Sequence, residues 1–119
     1  MTYDVVALIR EPPDQRAVLD ALGAVGEELL VDVLEHGGVV QLCDAEGGTL
    51  LSIEEPVLIQ VRGEAERLLG PVAAGLDPPL WWVEARAAER DGARDRARVF
   101  AGALVAGLGG VVWDPEEHR

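Results

Sequence analysis

The strongest constraint on the fold is the stretch from Leu80 to Asp114, which reads as strand, charged connection, apolar helix and strand. Its first part is Leu80-Trp81-Trp82-Val83-Glu84-Ala85-Arg86-Ala87. Successive side chains of a strand point to opposite faces, so Trp81, Val83, Ala85 and Ala87 share one face and Leu80, Trp82, Glu84 and Arg86 the other. The first set reads as core. The second sets a large indole beside a carboxylate and a guanidinium. The charged run from Ala88 to Arg98 follows, with Asp91 or Asp95 as candidate caps for the next helix. Ala97, Phe100, Ala101, Leu104, Val105 and Leu108 then recur at helical spacing and form one apolar stripe. Gly109-Gly110 supplies the positive φ at which helices commonly stop. Val111 to Trp113 closes the unit as a strand.

The rest of the chain supplies the other elements. Tyr3 to Ile9 is a valine-rich apolar run, as expected of a strand covered on both faces. Pro12-Pro13 ends it, and Glu11 or Asp14 can meet the free N–H groups of a helix carrying Val18, Ala21, Leu22 and Val25 on one face. Leu29–Leu34 and Val39–Asp44 read as strands joined by a tight turn at His36-Gly37-Gly38. Thr49–Glu54 and Val57–Val61 are two more, separated by Glu55-Pro56, so the middle of the chain reads as an antiparallel meander. Residues 63–70 form a short helix bounded by glycines.

The expected architecture is a single α+β domain over residues 1–119. It has a mostly antiparallel sheet of six to seven strands, two main helices and one short helix, in the order β-α-β-β-β-β-α-β-α-β. The helices are expected on one face of the sheet, with parallel pairing at its ends. The two strand–helix–strand segments at either end of the chain suggest an internal duplication without residue-level repeats.

Charge narrows the choice of partner. The chain of 119 residues carries ten arginines, no lysine and a formal charge of −12. Nucleic-acid backbones and anionic membranes need a positive face, so neither is an expected partner; a basic protein is. One cysteine, Cys43, allows no internal disulfide and suits a reducing cytoplasm. The arginine, alanine and glycine bias suits a GC-rich bacterial genome. The N-terminal residues lack the basic region of a signal peptide, and the run from Val99 to Trp113 is too short to span a bilayer.

Chemical motifs are sparse. His36, Cys43 and His118 show no metal-ligand spacing, so no metal and no cofactor is expected. Ser52, Thr2, Thr49 and Cys43 lie in no nucleophile signature. No glycine pair forms a phosphate-binding loop. Two surfaces stand out. Trp82, Glu84 and Arg86, with Arg90 and Arg94 beyond them, are the candidate ligand or partner surface. Gly102, Ala103, Ala106 and Gly107 give the second helix face small uncharged residues, the candidate interface for a second element or a second copy of the chain. The functional expectation is a non-enzymatic, acidic, cytoplasmic protein-interaction module, of immunity or antitoxin type by analogy of size and charge. The alternative is a small-molecule-binding protein or enzyme with a pocket near Trp82, Glu84 and Arg86.

Overall fold

The valine-rich run near the N-terminus becomes β1 (Tyr3–Ile9), an interior strand of the sheet that is buried along nearly its whole length. The computed structural model describes residues 3–26, 29–33 and 39–117. After β1 come α1 (Gln15–Gly23), β2 (Leu30–Val33), β3 (Val40–Cys43), β4 (Thr49–Ile53), β5 (Val57–Ile59) and α2 (Glu64–Leu69). A 3-10 turn (Pro71–Ala73), β6 (Leu80–Ala87), α3 (Ala93–Leu108) and β7 (Gly110–Trp113) complete the chain. The α+β class and the element order are those read from the sequence. The glycine turn expected at His36–Gly38 lies outside the described residues, as does His118.

The sheet runs β2-β3-β4-β6-β1-β7, with β5 also paired to β6. Every pairing among the described residues is antiparallel, so the expected parallel pairing at the ends is not found. β6 and β7 run parallel to each other but lie on either side of β1. β1 and β2, by contrast, have three strands between them. The two ends of the chain therefore differ in topology, which removes the suggested duplication.

The expected four-strand meander is shorter than it reads. β2, β3 and β4 form it, but β5 does not turn back on β4. Leu51–Ile53 pair with Ala87–Ala85 and Val57–Ile59 with Trp82–Leu80, so β4 and β5 run in one line along the same edge of β6. Glu54, Glu55 and Pro56 face the two residues Glu84 and Val83. The Glu54 N–H still donates to the Glu84 carbonyl at 3.1 Å. Pro56 has no N–H to offer, so the ladder lapses there and resumes at Val57. A break of this kind reads in sequence like a turn.

The helices lie on both faces of the sheet, not on one. Val5, Ala7 and Ile9 of β1 pack with Val83, Ala85 and Ala87 of β6 against α1 and α3, through Val18, Leu22, Phe100 and Leu104. Val6, Leu8 and Leu80 turn the other way, onto Ala65, Leu69 and Ala73 of α2 and the 3-10 turn. α2 has only six residues, too short to display an apolar stripe, and its covering role depends on tertiary placement. That second cover is partial. It spans the end of the sheet holding Ile59, Leu80 and Leu8, and leaves the end holding Ser52, Arg86 and Asp4 open to solvent.

α3 begins at Ala93, one turn ahead of the stripe seen in the sequence. Neither Asp91 nor Asp95 caps it: Gly92, at φ 81°, is the N-cap, and Asp95 lies in the first turn. Arg94, Asp95, Arg96 and Arg98 are therefore helical, not part of a charged loop. Buried Ala93 extends the apolar stripe one turn ahead of Ala97.

Candidate functional site

β6 distributes its side chains as the alternation implies. Val83, Ala85 and Ala87 join the main core, and Trp82, Glu84 and Arg86 lie on the opposite face. The Trp82 indole Nε1 donates to Glu84 Oε1 at 3.3 Å, which fixes the ring along the strand. Arg86 pairs in register with Asp4 on one side and Ser52 on the other. Its guanidinium lies 3.0 Å from Asp4, 3.7 Å from Glu84 and 3.8 Å from Glu54. The hydrogen bond and charge of Asp4, with lesser help from Glu54 and Glu84, raise the Arg86 pKa above its ordinary value. Three carboxylates thus surround one cation on the open half of the sheet, and the cluster carries surplus negative charge.

Arg90 and Arg94 do not join this group. They lie beyond the end of β6, beside the start of α3, where a cleft of about 540 Å³ is also lined by Tyr3, Arg98 and Glu116. Every arginine there already holds a carboxylate. Arg90 pairs with Asp44 of the β3–β4 turn, and Arg94 with Glu116 at 2.7 Å. Arg98 reaches Asp114 at 2.6 Å, Glu116 at 2.7 Å and Asp95 at 2.9 Å. An incoming anion would have to displace a carboxylate at each position. The hydrogen bond from Arg90, followed by the Gly48 N–H, holds Asp44 below the usual carboxylate range.

Behind the cleft lies a network that sequence reading missed. The Tyr3 hydroxyl donates to Asp114 Oδ1 and accepts from Arg98 at 2.8 Å, while Arg98 Nε donates to Asp114 Oδ2 at 2.6 Å. The Glu116 N–H adds a bond to Asp114 at 2.9 Å. Arg94 lies over the Tyr3 ring, 4.8 Å from its centre. Burial and the Asp114 carboxylate raise the Tyr3 pKa, and Arg98 only partly offsets them. Burial acts to raise Asp114 too, but the Tyr3 hydroxyl, the Glu116 N–H and Arg98 together outweigh it and the pKa falls. Tyr3 begins β1, Arg98 sits in α3 and Asp114 follows β7, so the network ties three elements together. An aspartate after an apolar strand carries no local signal of this, because its partners are remote in sequence.

A second feature missed in the sequence is an apolar groove of about 470 Å³ between β5 and α2. Val57, Leu58, Val61, Leu68 and Trp82 line it. It brings Trp82 next to residues that the strand pattern alone does not connect with it.

On α3, Gly102, Ala106 and Gly107 are exposed and Ala103 is half-buried at the margin of the core. α1 packs beside Ala103 and Leu104 and leaves Gly102 and Ala106 uncovered by its own chain. Cys43 is a buried free thiol in β3. Among the described residues no group of three potential metal ligands is found, no buried side-chain nitrogen or oxygen lacks a hydrogen-bond partner, and no helix is long and apolar enough to cross a membrane. No family model matches the chain, and no curated protein or solved structure matches it either.

Proposed function

We propose that this chain is a non-catalytic binding module for a basic protein partner, acting in the cytoplasm. The observation that carries the reading is the cluster of Asp4, Glu54 and Glu84 round Arg86 on the uncovered half of the sheet. In a chain of net charge −12 such a face attracts and orients a cationic surface. An immunity or antitoxin role is the form this takes by analogy of size and charge. The test is co-expression with the proteins encoded beside it. The expected result is a stoichiometric complex with a basic protein that dissociates as salt rises. A salt-insensitive complex, or none, overturns the reading.

A second reading rests on the groove beside Trp82: a small-molecule binder or enzyme that uses Trp82, Glu84 and Arg86. A metabolite retained in native mass spectrometry and lost on Glu84→Gln would favour it.

The outer face of α3 is assigned to a second copy of this chain. Val99 is 46 % exposed there, beside Gly102, Ala103, Ala106 and Gly107. Two acidic molecules can meet on this uncharged strip without opposing carboxylates. Light scattering should give a dimer that Ala106→Glu converts to a monomer. A monomeric parent chain removes the assignment.

A further inference from the structure

We infer that the β5–α2 groove receives an amphipathic basic segment of the partner, with one cationic side chain lying on the Trp82 indole and neighbouring apolar side chains packing on Val57, Val61 and Leu68. This rests on the reading of the chain as a module for a basic protein, and it adds the place and the chemistry of the contact.

The groove exposes more apolar surface than a solvated edge needs. Val57 is 59 % exposed, Val61 65 %, Leu68 49 % and Leu58 43 %. Single exposed aliphatic side chains are ordinary, but several gathered in one groove form the kind of contiguous apolar patch that often serves binding. The local structure explains why these residues cannot turn inward. Ala65 and Leu69 take the buried side of α2, so Leu68 is left on the outside with Glu64. Val57 pairs in register with Trp82 beyond the edge of the helical cover, while Ile59, two residues on, is buried against Leu80. Among the described residues β5 pairs with no strand but β6, so its other side faces the groove as an unpaired edge.

The polar surroundings select the occupant. Glu84 anchors the indole nitrogen at 3.3 Å, which holds the ring of Trp82 in the groove and sets a carboxylate at its end. Glu64 lines the groove from α2. An aromatic face with carboxylates beside it suits a guanidinium or ammonium group. The aliphatic residues suit the alternate side chains of the same segment. A second copy of this chain would bring acidic residues to acidic residues, and nucleic acid or an anionic membrane would be repelled for the same reason.

The experiment is selection of a random peptide display library on the immobilised full chain. Three proteins are compared: the parent chain, a groove variant carrying Val61→Asp and Leu68→Glu, and a sheet-face variant carrying Asp4→Asn and Glu54→Gln. All four substituted positions are exposed or half-exposed, and circular dichroism checks that each variant folds. The expected peptides combine Arg or Lys with aliphatic residues. Their affinity should fall at least about tenfold, or about 1.4 kcal/mol, on the groove variant. Tryptophan fluorescence should also change on binding. Basic peptides that ignore the groove variant but weaken on the sheet-face variant overturn the groove and leave the wider reading intact. Apolar peptides without basic residues overturn the cation contact. No enrichment overturns both.

Discussion

Among the described residues Asp114 is the single buried charged group, 2 % exposed, and its environment sets two opposite pH limits on the fold. Its carboxyl titrates below the ordinary 3.8, so the ionised form contributes stability above that value and the contribution disappears as pH falls through the lowered folded value. Tyr3 titrates above the ordinary 10.0, so its neutral hydroxyl contributes stability below that value and loses it as pH rises through the raised one. Tyr3 is the only tyrosine in the chain, so tyrosinate absorbance reports this one site. The midpoint should lie above 10.0 in the native protein and return toward it in denaturant; a native midpoint at or below the unfolded one would contradict the network. Tyr3→Phe should cost about 1–3 kcal/mol in chemical denaturation, since it leaves a buried acceptor short of a donor. Asp114→Asn should cost about 2–3 kcal/mol, under the roughly 3–5 kcal/mol of a fully buried pair, because Arg98 is partly exposed and retains Glu116 and Asp95.

At the scale of the element, two positions show how local chemistry fixes secondary structure. Asp14 accepts from the Ala17 N–H at 2.8 Å and caps α1, so Asp14→Ala should lower stability by about 1 kcal/mol. Gly110 is more demanding. It has φ 130°, and a Cβ there would stand 1.9 Å from the Leu8 carbonyl oxygen and 2.9 Å from the Ile9 Cα. Both obstacles are backbone of β1, so β7 must move away from it. Gly110→Ala should cost about 3 kcal/mol, the upper range of backbone strain, and should show first as lost hydrogen-exchange protection in β7. A substitution without that loss would mean that the close approach of β7 to β1 is not required. These positions also show what the sequence makes legible. Asp14 ahead of Val18, Ala21 and Leu22, and the alternation through Trp81, Trp82 and Val83, are local patterns, and the structure follows them. The joining of β4 and β5 along β6 is not local: Glu54-Glu55-Pro56 reads as a turn because a sheet interruption and a turn use the same residues. The start of α3 was hidden for a similar reason. Arg94, Asp95, Arg96 and Arg98 look like a loop by composition, and only burial of Ala93, one turn before the stripe that starts at Ala97, shows the helix. The groove could not be read because Val57, Val61, Leu68 and Trp82 come together only when α2 folds across the sheet.

Across the whole molecule, charge separates short-range pairing from long-range repulsion. Arg16, Arg62, Arg67, Arg86, Arg90, Arg94 and Arg98 each pair with a carboxylate, so the described arginines are largely consumed by local contacts. With 22 acidic residues against ten arginines, a large surplus of carboxylates remains. Salt acts on the two populations in opposite directions. It weakens exposed pairs such as Arg62–Asp77 and Arg16–Asp20, which contribute about 0–1 kcal/mol each. It also screens the surplus charges, whose mutual repulsion favours the expanded chain. The surplus outnumbers the exposed pairs, so repulsion should dominate at neutral pH. Raising sodium chloride from low to physiological concentration should therefore raise the thermal midpoint by about a few degrees, the shift that roughly 1 kcal/mol produces at this size. The same change should weaken any complex with a basic partner, so folding and binding should respond to salt with opposite signs. Duplex DNA provides the control for sign: the chain should show no micromolar affinity at physiological salt, because a net charge of −12 repels the phosphate backbone. A midpoint that falls with salt would show that paired arginines, and not surplus carboxylates, set the electrostatic balance of this fold.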